Sequence, residues 1–347
     1  MAAIGLPNIP LEIQLQIAEF AETHQTLKAL SVTSRSLRSI AQSMLFETLR
    51  IDIGKELRGS VDDLLANPRI CAAIRFLELR GQCLSSPRND EEQLSLIQKI
   101  LSEMVGLRTV SIHQVNLSRT FLDVFLGIAA KMPLRISLGW NICRYGVLPT
   151  PHTPLQISHL SFILGHPQLE FYRSMLHASA TTLTRLNIVT YGNEFMNLAD
   201  INLPFLHHLT LLITRQGEGS KASVAAFITA QRAIRKLDFM GRVFHLPPIP
   251  PNALPNLREL SATPELLNQL VPGRPVKAIE VLFPYPQQGC FSPGDWFGEE
   301  VGESTARVRR LRVNLNTAIL DTRMVKRIVA ILPFLENLWL PVCGDVS

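Results

Sequence analysis

The sequence predicts an α/β protein in which three N-terminal helices precede a solenoid of helices and parallel strands. Two observations support this fold class. Apolar residues recur with a helical period over three short segments within the first fifty residues. Further along, an L-x-x-L-x-L pattern, in which other apolar residues can replace leucine, recurs eleven times up to the C-terminus. We therefore divide the chain into a helical domain, residues 1–50, and a repeat domain, residues 51–347.

The helical domain contains three closely spaced segments. The first begins after Pro10, because a proline in the first turn removes only a donor that has no helical partner. The second is predicted to begin near Thr26 and the third near Ser34, since both residue types serve as N-caps. The first segment has an apolar face of Ile13, Ile17 and Phe20. The third has an apolar stripe of Leu37, Ile40, Ala41, Met44 and Leu45. Helices this short need a further partner to bury their apolar faces.

The same fifty residues carry the motifs of a known family. Residues 9–13 read Ile-Pro-Leu-Glu-Ile, which matches the family pattern Leu-Pro-x-Glu-Ile with one conservative change. Leu45, Phe46 and Leu49 match the closing pattern Leu-Phe-x-x-Leu. On these motifs the segment resembles an F-box, the adaptor-binding module of substrate receptors in cullin-RING ubiquitin ligases. It departs from many members at residues 37–38, where Leu-Arg replaces Trp-Arg.

The resemblance implies that this segment binds a Skp-type adaptor and, through it, the cullin and RING subunits. The alternative is an ordinary helical cap on the end of a larger core. The residues that the resemblance assigns to folding and docking, without separating the two roles, are Ile9, Pro10, Ile13, Ile17, Leu27, Leu30, Val32 and Leu45.

The recurring apolar pattern marks the strands of the repeat domain. The mean step between its central residues is about 26 residues, within the range of leucine-rich repeats. Apolar stripes with a helical period lie between the strands, so we expect a curved parallel sheet with helical crossovers. The roughly eleven repeats resemble the degenerate leucine-rich arrays found behind F-boxes. The central positions are 77, 110, 136, 160, 186, 209, 237, 260, 279, 311 and 338.

Three proline clusters interrupt the repeats, within residues 149–154, 247–255 and 284–293. Proline cannot donate a backbone hydrogen bond into a central strand ladder, so we predict connections there. The interval 283–304 is longer than a simple crossover and is predicted to be an insertion.

Composition argues against several classes of protein. A net charge of +5 is too small for this length to indicate nucleic-acid binding. No apolar run is long enough to span a membrane, and Glu12 and Glu19 interrupt any signal-peptide core. The five cysteines are scattered and form no C-x-x-C motif, which favours reduced thiols. We therefore predict a cytoplasmic or nuclear protein.

Catalytic and metal-binding motifs are missing from the sequence. The Gly-rich stretch 217–221 lacks the spacing of a phosphate-binding loop, and no H-E-x-x-H, G-x-S-x-G or EF-hand pattern occurs. We therefore predict a protein without enzymatic activity, cofactor or metal.

The candidate substrate-binding residues flank the inward-facing apolar positions of the repeat strands. Such residues share one face of the sheet. Their mixed charge favours a protein or peptide partner. Two of them, Arg310 and Arg312, could hold an acidic segment or a phosphate, the alternative being a solvated strand end. The full set is Glu78, Arg80, His113, Arg185, Asn187, Lys236, Asp238, Arg310, Arg312 and Trp339.

These observations together predict a substrate-recognition subunit of an SCF-type ubiquitin ligase. The repeat domain would bind an as yet unidentified target protein, and other subunits would transfer ubiquitin. The first alternative is an interaction scaffold with an F-box and leucine-rich repeats but without a ligase role. A basic nucleic-acid binder and a small-molecule site on the concave face remain as further alternatives.

Overall fold

The chain forms two compact units, residues Met1–Pro149 and Thr150–Ser347. The structure is a computed structural model that describes residues 9–21, 23–33, 35–53, 58–81, 87–115, 119–139, 149–164, 169–190, 198–214, 218–241, 246–282, 298–314 and 322–340. Each unit combines helices with parallel strands, which confirms the predicted α/β class. The domain boundary at residue 50 stays a prediction.

The first unit begins with three helices and continues with parallel strands that pair in chain order. Its elements are α1 (Leu11–Glu19), α2 (His24–Thr33), α3 (Arg35–Leu45), β1 (Thr48–Asp52), α4 (Arg58–Leu65), α5 (Pro68–Ala73), β2 (Phe76–Arg80), α6 (Pro87–Glu103), β3 (Thr109–His113), α7 (Arg119–Ala129) and β4 (Leu134–Leu138).

Helix α3 forms the centre of the three-helix segment, since both α1 and α2 contact it. Its predicted stripe is confirmed: Leu37, Ile40 and Ala41 are buried. The predicted start of the second helix is wrong by two residues. The hydroxyl of Thr23 accepts a hydrogen bond from the N–H of Thr26 at 3.1 Å, so the capping group precedes the helix. Ser34 lies outside the described residues.

The second unit continues the same arrangement, again with parallel strands in chain order. Its elements are β5 (Ile157–Leu164), α8 (Leu169–Ala178), β6 (Arg185–Thr190), β7 (His208–Ile213), α9 (Glu218–Ala230), β8 (Lys236–Gly241), β9 (Glu259–Ala262), α10 (Pro264–Leu270), β10 (Ala278–Leu282), a 3-10 helix (Glu299–Glu303), β11 (Arg310–Asn314), α11 (Thr322–Ile331) and β12 (Asn337–Trp339).

The strands of the second unit keep one register. The predicted central residues 160, 186, 209, 237, 260, 279, 311 and 338 pair directly with one another along the sheet. A repeated backbone hydrogen bond precedes each strand from β6 to β12. The N–H of Arg258 donates to the carbonyl of Arg235, and the N–H of Lys277 to that of Arg258, both at 2.8 Å. Each repeat therefore begins in the same way although the repeats differ in length.

Burial alternates along these strands. In β7, Leu209 and Leu211 are buried, whereas His208 and Thr210 between them are half-buried. Because successive side chains of a strand point to opposite faces, one face of the sheet lies in the core and the other is open. In the core, the rings of Phe162 and Tyr172 stack with their centroids 4.4 Å apart.

The proline-rich segment 246–255 is irregular, as predicted, and Arg274 holds it in place. Arg274 is 1% exposed, and its guanidinium has no carboxylate partner among its hydrogen bonds within the described chain. Burial lowers the pKa of this guanidinium from its ordinary value. Its donors bind the backbone carbonyls of Ile249, Pro250, Ala253, Gln269 and Pro272 at 2.8–3.2 Å.

Of the other proline clusters, residues 149–154 are irregular as well, where the structure describes them. The cluster 284–293 lies outside the described residues. The predicted insertion 283–304 is described only from residue 298 onward, where the 3-10 helix lies.

Candidate functional site

The open face of the second unit carries two parallel rows of side chains, defined by the register of the strands. Row A consists of His159, Arg185, His208, Lys236, Glu259, Ala278, Arg310 and Asn337. Row B, two residues further along each strand, consists of Ser161, Asn187, Thr210, Asp238, Ser261, Glu280, Arg312 and Trp339. All seven candidates predicted in this unit belong to one of these rows.

Asp238 is the most highly connected side chain of row B and is 8% exposed. His208 Nε2 lies 2.7 Å from its Oδ2, and the hydroxyl of Ser261 donates to its Oδ1 at 2.7 Å. The hydroxyl of Thr210 donates to Oδ2 of Asp238 at 3.4 Å, and Lys236 Nζ lies 3.6 Å from the same oxygen. Burial alone would raise the pKa of this carboxyl, but the hydrogen bonds from His208 and Ser261 and the nearby positive charges outweigh it, so the pKa lies below 3.8.

A groove of about 630 Å³ crosses β8 to β12 on this face. It brings together four of the predicted candidates: Lys236, Arg310, Arg312 and Trp339. Among the other residues that line it are Glu259, Ser261, Ala278, Glu280 and Asn314. The groove therefore presents cations, carboxylates and an indole ring to the same volume.

Ion pairs within the groove cross from strand to strand. Arg310 Nη2 lies 2.9 Å from Oε1 of Glu259. Arg312 Nε lies 3.5 Å from Oε1 of Glu280. Oε2 of Glu280 lies 3.3 Å from the hydroxyl oxygen of Ser261, which donates its proton to Asp238. Both arginine side chains are about half exposed or more, at 49% and 63%. Exposed pairs of this kind stabilise a fold by little, so these side chains retain the freedom to bind another molecule.

The other three candidates of this unit do not line the groove: Asp238, described above, Arg185 and Asn187. Arg185 is exposed in row A. Asn187 is half-buried in row B, and its Oδ1 atom is buried without a hydrogen-bond partner within the part of the chain that the structure describes. Neither residue is brought into contact with the groove lining.

The three candidates of the first unit lie on the open face of its own strands. Glu78 accepts hydrogen bonds from Arg50 Nε at 2.7 Å and Arg80 Nε at 2.6 Å. Burial opposes ionisation of Glu78, but the two guanidinium groups outweigh it and lower the pKa of the carboxyl from 4.5. His113 lies 2.6 Å from the hydroxyl of Ser111 on its own strand.

The structure separates the eight residues that the resemblance assigns to adaptor binding. Four are exposed: Pro10, Ile13, Ile17 and Val32. Four are half-buried: Ile9, Leu27, Leu30 and Leu45. The residues of α1 that are buried are instead Gln14 and Ala18. Of these eight residues, the four exposed ones are the most accessible to a partner.

Helix α1 exposes most of its apolar surface. Ile13, Ile17 and Phe20 follow one another at helical spacing and are 44%, 36% and 83% exposed. Leu11 and Leu15 flank the buried line on the other side and are 59% and 41% exposed. We call Ile13, Ile17 and Phe20 the apolar row of α1. The row lies beside the buried line of Gln14 and Ala18, so the apolar stripe of α1 is wider than its contact with the core.

Three further side chains that pair with the candidates on the open faces were not predicted from the sequence: Arg50, Glu259 and Ser261. Each occupies the same alternating position in its strand as a predicted candidate. The period-two pattern would have identified them had it been applied to every strand.

Other kinds of site find no support in the described residues. No three His, Cys, Asp or Glu side chains among them converge to hold a metal ion. No described helix has the length and apolar character needed to cross a bilayer. Cys71 is a buried free thiol whose pKa is raised by burial and by the charge of Glu103. The other four cysteines lie outside the described residues.

Comparison with known proteins leaves the family of this chain open. No family model matches it, and neither does any curated protein. The function is therefore argued from the two surfaces described above: the apolar row of α1 and the groove across β8 to β12.

Proposed function

We propose that this protein is the substrate-recognition subunit of an SCF-type ubiquitin ligase. Residues 9–49 bind a Skp-type adaptor, and the open face of the repeat strands binds a target protein. The observation that supports this proposal best is the apolar row of α1, which lies in the segment that resembles an F-box.

A surface helix normally turns its apolar residues toward the core and its polar residues toward water. In α1, Gln14 is 4% exposed, whereas Ile13 and Ile17 on the same helix are accessible. Contiguous apolar surface of this kind is typical of a protein–protein contact. An adaptor that covers the row removes this surface from water, which contributes about 25 cal/mol for each Å² of apolar area buried.

The proposed role requires no catalytic group on this chain. The adaptor connects it to the cullin and RING subunits, and the ubiquitin-conjugating enzyme performs the transfer. The contribution of this chain is to hold the target close to that enzyme, which raises the effective concentration of the reacting groups.

The test is co-purification of the full chain with a Skp-type adaptor. The double variant Ile13→Asp/Ile17→Asp should abolish binding, because it places two charges in an apolar contact. The matched control is Gln16→Asp, which adds a charge at an exposed polar position of the same helix and should bind normally.

Loss of binding in the control, or retention in the double variant, contradicts the proposal. A wild-type chain that binds no adaptor but still binds a target supports the alternative of an interaction scaffold without a ligase role.

A further inference from the structure

We propose that the groove across β8 to β12 binds an extended peptide segment of the target through an aspartate or glutamate side chain. Arg312 binds the carboxylate of this acidic side chain, and a neighbouring apolar side chain of the peptide packs on Trp339. This inference names the chemistry of the target and rests on the proposed function for its biological role.

The hydrogen-bonding capacity of Asp238, on the strand where the groove begins, is largely used up. Asp238 has donors or positive charge from His208, Thr210, Lys236 and Ser261 within 3.6 Å. A carboxylate with this many partners has little capacity left for a ligand. Asp238 therefore links neighbouring strands and is not the point of contact for the peptide.

The opposite end of row B is open. Arg312 carries five N–H donors. Within the described residues its ion pair is a single Nε contact of 3.5 Å with Glu280, and its side chain is 63% exposed. Guanidinium groups bind carboxylates through two parallel hydrogen bonds, and Arg312 has unused donors for such a pair. An acidic side chain from a partner fits this position.

Trp339 supplies the second half of the site. It is the register neighbour of Arg312 on β12, and its ring is half exposed within the groove. Tryptophan and arginine are the residue types that most often dominate binding energy at protein contacts. Their adjacency favours a peptide in which an acidic residue is followed or preceded by an apolar one.

The carboxylates of the groove argue against a nucleic acid as the occupant. Three cations, Lys236, Arg310 and Arg312, share the lining with Glu259 and Glu280. A nucleic acid carries a phosphate at every nucleotide and would be repelled by the two carboxylates. A peptide combines an acidic side chain for the arginine with backbone N–H groups for the carboxylates, so its charge pattern is complementary. The volume of about 630 Å³ is also within the usual range of binding clefts, roughly 300–1,000 Å³.

The test is selection of a displayed library of random dodecapeptides on the purified full chain. We expect enrichment of peptides with Asp or Glu next to an aliphatic or aromatic residue. The enriched peptides are then synthesised, and their affinities for the wild type and for Arg312→Gln are compared. This variant removes the charge at an exposed position. Losing this charge-assisted pair should weaken binding by roughly tenfold to a hundredfold.

The matched control is Arg309→Gln. Arg309 directly precedes β11, is as exposed as Arg312, and pairs with Glu336 outside the groove lining. This variant should bind the selected peptides with unchanged affinity. A charge exchange gives a second measurement: Arg312→Glu should prefer peptides in which the acidic residue is replaced by lysine.

Several results would overturn the inference: no enrichment relative to the Arg312→Gln chain, enrichment without acidic residues, or equal binding by Arg312→Gln. If oligodeoxythymidine displaces the peptides, and if Arg312→Gln no longer binds this oligonucleotide, the groove would instead be assigned to nucleic acid. The adaptor assay is independent of this one. Ile13→Asp/Ile17→Asp should still bind the peptides, and Arg312→Gln should still bind the adaptor, so either proposal can fail without the other.

Discussion

Arg310 and Glu259 form an ion pair across a strand to which neither belongs. Arg310 Nη2 on β11 lies 2.9 Å from Glu259 Oε1 on β9, and Ala278 of β10 lies between them in row A. Ala278 carries only a methyl group and lines the groove, so it is short enough to let the two longer side chains meet above β10. A small residue at this position therefore shapes both the ion pair and the floor of the groove.

The first prediction concerns Ala278→Leu. The larger side chain should fill part of the groove and separate Arg310 from Glu259, so that binding of the selected peptides falls roughly tenfold or more. The free energy of unfolding should change by less than about 1 kcal/mol, because the pair is exposed and contributes little. Fluorescence polarisation with the peptides and urea unfolding measure the two quantities.

Ala278→Ser is the matched control, since a hydroxyl at this position is small enough to keep the ion pair. It should bind the peptides as the wild type does. Normal peptide binding by Ala278→Leu would show that the peptide does not occupy the space above β10.

The second prediction concerns the pH dependence of Asp238. Its pKa is lowered in the folded protein, so the ionised carboxylate stabilises the fold. This contribution is fully present above the unfolded pKa of about 3.9 and is lost as the pH falls through the folded pKa. Near neutral pH, Asp238→Asn should therefore lower the free energy of unfolding by about 1–3 kcal/mol, since charged hydrogen bonds are lost.

Below about pH 4 the difference between wild type and Asp238→Asn should shrink as the wild-type carboxyl becomes protonated. Urea unfolding of both proteins across this pH range measures the difference in their free energies of unfolding. Asp123→Asn changes an exposed aspartate on α7 and should alter the free energy of unfolding by less than about 0.5 kcal/mol. A difference that stays constant with pH would mean that Asp238 does not titrate below its ordinary pKa.

The strands and their open-face residues could be predicted because side-chain direction in a strand is a local property. Arg312 and Trp339 follow from the alternation within β11 and β12 alone. The partners of these residues could not be predicted in the same way. Whether Arg310 meets Glu259 depends on the register of three strands and on the size of Ala278, and the strands are separated by connections of unequal length.

The sequence also could not predict which residues of the helical segment are buried. Spacing identifies Ile13 and Ile17 as one face of α1, but it does not decide which face packs against α3. The structure buries Gln14 and Ala18 instead. The hydrogen bonds of Arg274 could not be predicted from the sequence either, because they depend on the path of the irregular backbone between residues 249 and 272.

The third prediction compares two isoleucines of the helical segment. Ile40 is 7% exposed, and Ile40→Ala should destabilise the protein by about 2–5 kcal/mol through a lost contact and a cavity. Ile13 is 44% exposed, and Ile13→Ala should cost less than about 1 kcal/mol. Thermal or urea unfolding of the free chain distinguishes the two, and equal losses would contradict the assignment of Ile13 to an accessible surface.

The fourth prediction concerns Arg274→Met, which preserves much of the side-chain volume but removes every donor. The buried carbonyls of Ile249 and Ala253 would then be left without the guanidinium that satisfies them, whereas the carbonyl of Pro250 keeps the N–H of Ala253 as a donor at 2.9 Å. Each buried polar group without a partner costs about 1–3 kcal/mol, so the total loss of stability should be at least about 2 kcal/mol. Arg274→Lys should also destabilise, because three donors on one nitrogen cannot reach carbonyls arranged around a planar guanidinium.

Arg232→Met provides the control, since Arg232 is exposed and its removal should change the free energy of unfolding by less than about 0.5 kcal/mol. Hydrogen exchange adds a local readout. Backbone amides of residues 246–257 should lose protection in Arg274→Met before those of β6 and β7, because the guanidinium contacts the carbonyls of that segment directly. A uniform loss of protection, or a stability equal to the wild type, would show that the proline-rich segment is held by its own packing rather than by Arg274.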